Sequence, residues 1–232
     1  MSRAIRILAR ALTLAAISVP GAITASTAQR QIEVDAQHRS DAVLFTAVTV
    51  GNMDVQCGLV VSRSAIQTVT PFDAGDDWLQ NTVLYLINRT NKTAVFGQIA
   101  LWFPDTGSGS PSQPTRVFIL SLGRLPGSAA FSGSTGKPLS QPSSAQPMSF
   151  APGQTLGIHL GDYIDGIRAS VDNLPFPAVT RVIIRRNSFV FDDGMQWTPA
   201  GFDSPDPQNP GRWVNMAPSY FPGDVNANWP QH

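Results

Sequence analysis

Seven short runs of β-branched and aromatic residues, each bounded by Gly, Pro or Asn, constrain this chain more than any other feature. They are "AVLFTAVTV" (42–50), "VQCGLVV" (55–61), "TVLYLIN" (82–88), "AVFGQIALWF" (94–103), "TRVFILSLG" (115–123), "TLGIHL" (155–160) and "VTRVIIRRNSFVF" (179–191). Such residues fit a pleated, half-buried surface, and runs of this length between turn residues read as strands. Gly51 and Asn52 separate the first two runs, and "RTNKT" joins the third and fourth, so each pair is expected to form a hairpin. Gly97, inside the fourth run, predicts a bulge or a close backbone approach. With almost no helical periodicity elsewhere, the pattern predicts a mainly β, antiparallel sandwich.

One segment departs from it. Asp162 is placed to cap a helix, with Asp165 three positions on, and Tyr163, Ile164, Ile167 and Val171 recur at helical spacing. "NLPFP" ends it, which predicts one short helix across an open end or face of the sandwich. Residues 104–114 and 125–147 are rich in Gly, Ser and Pro and read as long loops. The second is long enough to be either functional or mobile.

The N-terminus carries an address. "MSRAIRILAR" holds three arginines and no acid, an apolar stretch "ALTLAAISVPGAITA" follows, and small residues close it at "ASTAQ". That is the pattern of a secretory signal peptide over residues 1–28, cleaved after Ala25 or Ala28. Pro20 and Gly21 interrupt the apolar run, which falls short of the ~20 apolar residues a membrane span needs. No transmembrane segment is therefore expected after cleavage, and the chain is expected to be secreted or periplasmic. Residues 29–232 then make one domain with a Pro/Asp/Trp-rich tail from about residue 192 to 232.

The precursor is neutral, with 16 Lys+Arg against 16 Asp+Glu. Losing Arg3, Arg6 and Arg10 leaves 13 against 16, a net charge of −3, so no electrostatic footprint for nucleic acid is present. Cys57 is the only cysteine, which rules out an internal disulfide. Its apolar neighbours in "VQCGLVV" predict a buried, inert thiol.

Catalytic chemistry finds little support. The three histidines, His38, His159 and His232, are scattered, and no G-x-S-x-G nucleophile elbow exists. "SGSTGK" (132–137) lacks the spacing of a phosphate loop. One cysteine and scattered histidines do not make a zinc site. Calcium stays open because it needs only oxygens, and Asp76, Asp77, Asp192 and Asp193 are its candidate ligands, with Asp203 and Asp206 a third acidic group. The plainer reading of these aspartates is turn chemistry. Trp78, Trp197, Trp213 and Tyr220 lie in or beside loops and are candidates for stacking on a sugar. For Trp197 and Trp213 the competing reading is a clasp, in which Asp192, Asp193 and Gly194 turn, Trp197 anchors, and "PDPQNP" is a stiff extended connection to Trp213.

The hairpin "YLINRTNKTAVFGQIALWFPDTG", the "APGQTL" strand and the terminal "IRRNSFVFDDGMQWTPAGFDSPDPQNPGRW" resemble a group of uncharacterised secreted bacterial proteins, known chiefly from soil bacteria such as Acidobacteria. These end in a DG-x-x-W element and a Pro/Asp-rich tail. The resemblance implies an immunoglobulin- or fibronectin-III-like sandwich and a periplasmic or extracellular address, and it brings no catalytic residues. The expectation is an exported, non-catalytic structural or binding module without a cofactor, whose partner is a protein or polysaccharide. The alternatives are a carbohydrate- or calcium-binding domain using the Asp/Trp loops, and a hydrolase whose carboxylates converge only in the fold.

Overall fold

The computed structural model describes residues 27–38, 41–57, 66–68, 71–106, 116–126, 147–171, 178–209 and 212–216. Residues 1–26 of the expected signal peptide, nearly all of the 125–147 loop and Tyr220 lie outside these residues, as does the side chain of Cys57.

The protein is mainly β. The strands are β1 (Ala28–Asp35), β2 (Val43–Val50), β3 (Met53–Cys57), β4 (Ile66–Thr68), β5 (Phe72–Ala74), β6 (Thr82–Asn88), β7 (Ala94–Phe103), β8 (Arg116–Gly123), β9 (Thr155–His159), β10 (Arg181–Phe191), β11 (Gln196–Thr198), β12 (Gly201–Pro205) and β13 (Trp213–Asn215). They form two sheets. The smaller is antiparallel in the order β3-β2-β6-β9. The larger is built on β10, which pairs with β7 along one edge, and β7 pairs in turn with β8.

Two strands share the other edge of β10. β1 runs parallel to its first half, Gln31–Val34 against Arg181–Ile184, and β11 runs antiparallel to its second half, Phe189 and Val190 against Trp197 and Gln196. The β1–β10 ladder departs from the all-antiparallel expectation, so the larger sheet is mixed. β4 and β5 continue that sheet beyond β1, and β12 and β13 continue it beyond β11.

One core draws on both sheets. Ile32 and Val34 from β1, Phe45 and Val48 from β2, Leu84 and Leu86 from β6, Ile99 and Leu101 from β7, and Val182 and Ile184 from β10 all belong to it. Period-two alternation put these residues on one face of each strand and the intervening ones on the other. Gly97 is the predicted close approach: the Phe189 ring lies over it, where an added Cβ would sit 2.5 Å from Cε1. The bulge of β10 falls instead between Arg186 and Ser188.

The helix is shorter than expected. A 3-10 turn covers Leu160–Tyr163, and α1 covers Ile164–Ser170. Tyr163 occupies the N-cap without a side-chain hydrogen bond, so Asp162 lies inside the 3-10 turn instead of capping. Ile167 and Val171 enter the core, and Gly166 lets α1 approach Phe118 of β8 closely.

The tail folds as three consecutive hairpins, β10–β11, β11–β12 and β12–β13. Gly194, at φ 83°, closes the turn between β10 and β11, a conformation that favours glycine. "PDPQNP" is no stiff extended connection. Asp206 Oδ1 accepts a hydrogen bond from the Gln208 N–H, Asp206 Oδ2 accepts one from Asn209 Nδ2, and the Asp206 N–H reaches Arg212 O, which bends the chain from β12 into β13. Side-chain caps of this kind are how Asp drives turns. These hydrogen bonds hold the Asp206 carboxyl below its ordinary pKa.

Candidate functional site

Buried charge organises the centre of the molecule. Arg186 projects from β10 near the point where β1 gives way to β11, and its residue is 2% exposed. Nε donates to both Asp35 carboxylate oxygens at 3.3 Å, and Nη2 donates to Asp35 Oδ2 at 3.2 Å. Nη1 donates to Asp41 Oδ2 and to Val43 O, and Nη2 donates to Ala36 O, each at 2.8 Å. The guanidinium also lies 5.3 Å from the ring centroid of Trp197. One cation thus ties the end of β1, the start of β2 and the β11 indole together. Burial pushes the Asp35 carboxyl above its usual pKa, against the opposing pull of Arg186.

A second buried cation, Arg30, donates from Nη1 to Val179 O at 3.0 Å and from Nη2 to Asp76 Oδ1 at 2.9 Å. Trp78 Nε1 donates to the same Val179 carbonyl at 3.3 Å. Trp78 is 1% exposed and packs edge-on against Phe72, so its ring offers no face to a sugar. Trp197, also 1% exposed, is flanked by Phe189 and Arg186 and is a core residue for the same reason.

Three of the four candidate metal ligands are already engaged through their carboxylates. Asp76 pairs with Arg30, and Asp77 accepts from Asn81 Nδ2 at 2.7 Å. Asp193 accepts from the Met195 N–H at 3.1 Å and forms an ion pair with Lys92, while the Asp192 N–H is bonded to Thr93 O. Among the described residues, no three or more of His, Cys, Asp and Glu come together as a metal site. The physical reason is that Asp76 and Asp193 neutralise cations, Asp77 accepts a hydrogen bond from Asn81 within its own turn, and Asp192 is exposed in the turn after β10. His159 is exposed on β9, which pairs only with β6 at the edge of the smaller sheet.

The outer face of the larger sheet, away from the core, presents a different arrangement. On β7, Phe96, Gln98, Ala100 and Trp102 alternate with the core residues Ile99, Leu101 and Phe103. Register places Val117 and Ile183 beside Trp102, Ile119 and Arg185 beside Ala100, and Ser121 and Ser188 beside Gln98. Arg185 lies over Trp102, its Cζ 4.8 Å from the ring centroid. Asn187 Nδ2 donates to Gln98 Oε1 at 3.1 Å, and Gln98 Nε2 donates to Ser121 Oγ at 3.4 Å, so an amide–hydroxyl row crosses three strands.

At one end of this face, Phe96, Val190 and Leu125 pack with Trp213. Trp213 therefore belongs to the outer face, partly buried, and is the one loop tryptophan of the sequence reading whose ring is neither fully buried nor outside the described residues. At the other end Trp102 is partly buried and Ile119 is 43% exposed. Phe96 and Trp102 are six residues apart, which spans about 20 Å of strand. Sequence reasoning counted Trp102 only as apolar surface. The signal was present: in "GQIALWF", Gln98, Ala100 and Trp102 share one parity and Ile99, Leu101 and Phe103 the other.

No protein-family model, curated protein or solved structure matches this chain. Among the described residues no helix is long and apolar enough to cross a membrane.

Proposed function

We propose that the protein is an exported, non-catalytic binding module that engages its ligand on the outer face of the mixed sheet. The observation that carries this is the ordered surface of Trp102, Arg185, Gln98, Asn187 and Ser121, a partly exposed aromatic beside a row of oriented amides and a hydroxyl. Binding sites combine apolar contact with a few placed polar groups that fix orientation. The titratable groups favoured by sequence have structural work instead: Asp76 with Arg30, and Asp193 with Lys92. Export rests on the leader-like residues 1–28, and a periplasmic or secreted address follows from it.

Two sheets around one core, with the β1–β10 ladder joining the first strand to the last long one, suit an immunoglobulin- or fibronectin-III-like sandwich. That architecture and the DG-x-x-W element at Asp193, Gly194 and Trp197 are the grounds for placing the chain with the secreted bacterial proteins it resembles. The test is thermal melting of the exported protein with a panel of soluble polysaccharides, in calcium and in EDTA. A ligand at a hundred times its Kd adds about 2.7 kcal/mol, or roughly 5–10 °C for a domain of this size. A rise with one polysaccharide that disappears in Gln98→Ala supports the sheet-face site. A ligand that stabilises Gln98→Ala and Trp102→Leu as well as it stabilises the native chain overturns it.

A further inference from the structure

We infer that the ligand of this face is a carboxylate-bearing polysaccharide, a reading that rests on the sheet-face site proposed above. The decisive feature is an excess of hydrogen-bond donors. Arg185 makes no ion pair or hydrogen bond among the described residues, and its guanidinium carbon lies over the Trp102 ring, 4.8 Å from the centroid. The acid nearest in register on this face, Glu33, is already committed to Arg181. The contact with the indole holds the guanidinium at this face, and its N–H groups form a fork that matches a carboxylate.

Two further donors, Trp102 Nε1 and Arg181 Nε, lie beneath this face and have no hydrogen-bond partner among the described residues. Both belong to the Trp102 end of the face, since Ile183, which pairs with Trp102, is two residues from Arg181. The remaining features select the class of acceptor. Val117 and Ile119 supply an apolar strip for ring faces. Gln98, Asn187 and Ser121 supply alternating donors and acceptors for hydroxyls along the strand. A repeating chain of sugar rings bearing carboxylates satisfies all three, whereas a small anion uses only the arginine.

The experiment is isothermal titration of the purified protein with polygalacturonate and alginate oligosaccharides, against neutral galactomannan and cello-oligosaccharides, with single-stranded DNA as a polyanion of another kind. The expected result is binding of the uronates. Arg185→Gln weakens it about tenfold or more, as for a lost charge-assisted hydrogen bond, and Arg185→Lys falls between. Arg185→Gln removes a partly buried cation that holds no ion pair among the described residues and is expected to melt like the native chain, so a loss of binding reads the site and not the fold. Failure of both uronates to bind, equal binding by Arg185→Gln, or binding of DNA in preference to uronates overturns the inference. Binding of galactomannan alone, lost in Trp102→Leu, overturns the acidic class while leaving the sheet-face site intact.

Discussion

Replacing Arg186 with Met is the most informative single change to this fold. The side chain is 1% exposed and holds two carboxylates and two backbone carbonyls. Removal leaves Asp35 and Asp41 buried without their cation, and Val43 O and Ala36 O each without this donor. Stripping one partner from a buried ion pair costs about 3–5 kcal/mol. At about 2–4 °C per kcal/mol for a domain of 150–250 residues, the melting temperature falls by about 6–20 °C.

The pH dependence sharpens the test. Burial already raises the Asp35 pKa, and loss of Arg186 raises it further, so the folded variant holds that proton more tightly than the unfolded chain does. A raised folded pKa gives stability that is present below the unfolded value, ~3.9, and is lost as pH rises through the folded one. The deficit of Arg186→Met is therefore largest at neutral pH and shrinks in acid. Thermal melts by circular dichroism at pH 7 and pH 4.5 measure both effects. A neutral-pH shift under about 2 °C would refute the idea that the triad ties β1, β2 and β10 together. Substituting all three members with apolar residues should recover much of the loss, because no charge is then left stranded.

Further outcomes follow from other positions. Gly97→Ala drives a methyl into the Phe189 ring and costs about 1–3 kcal/mol by chemical denaturation, with no compensating change in unfolding slope. Trp197→Ala leaves a cavity beside Phe189 and costs about 3–5 kcal/mol, whereas Trp213→Ala, only partly buried, costs clearly less in the same assay. Asp76→Ala removes a charge-assisted hydrogen bond from buried Arg30 and costs about 1.5–3 kcal/mol, identically in calcium and in EDTA. A calcium-dependent difference there would restore Asp76 as a metal ligand. On the proposed export, N-terminal sequencing of the processed protein is expected to begin at Ser26 or Gln29.

Strands with plain alternation were legible in the sequence. β6 and β7 fall on the residues expected, and β8, β9 and β10 differ by two residues or fewer at their ends. β1 was missed because its alternation is disguised: Arg30, Glu33 and Asp35 are charged, yet all three are buried. Charges normally mark the surface, and only the fold supplies the partners Asp76, Arg181 and Arg186 that make their burial tolerable. β11 to β13 hid in a Pro-rich tail because each is short and stabilised by turns, whose side-chain caps carry no periodicity.

The site was less legible than the fold. Loop tryptophans drew attention because loops carry function, but Trp78 and Trp197 turned inward once Val179 O and Arg186 were in reach. Trp102 sits within a strand, one residue from its end, where an aromatic reads as core. Its stacking partner Arg185 is 83 residues away in the chain, and no local pattern links them.

The parallel ladder between β1 and β10 also sets the order of events in time. Gln31 must find Arg181, and Asp35 must find Arg186 across 151 residues, so β1 can pair early with β4 and β5 but its other edge has no partner until almost the whole domain exists. Contacts of such long range form slowly because loop closure precedes any gain. A chain threaded outward N-terminus first would thus keep that edge of β1 open through most of its passage and close it only when its last long strand follows.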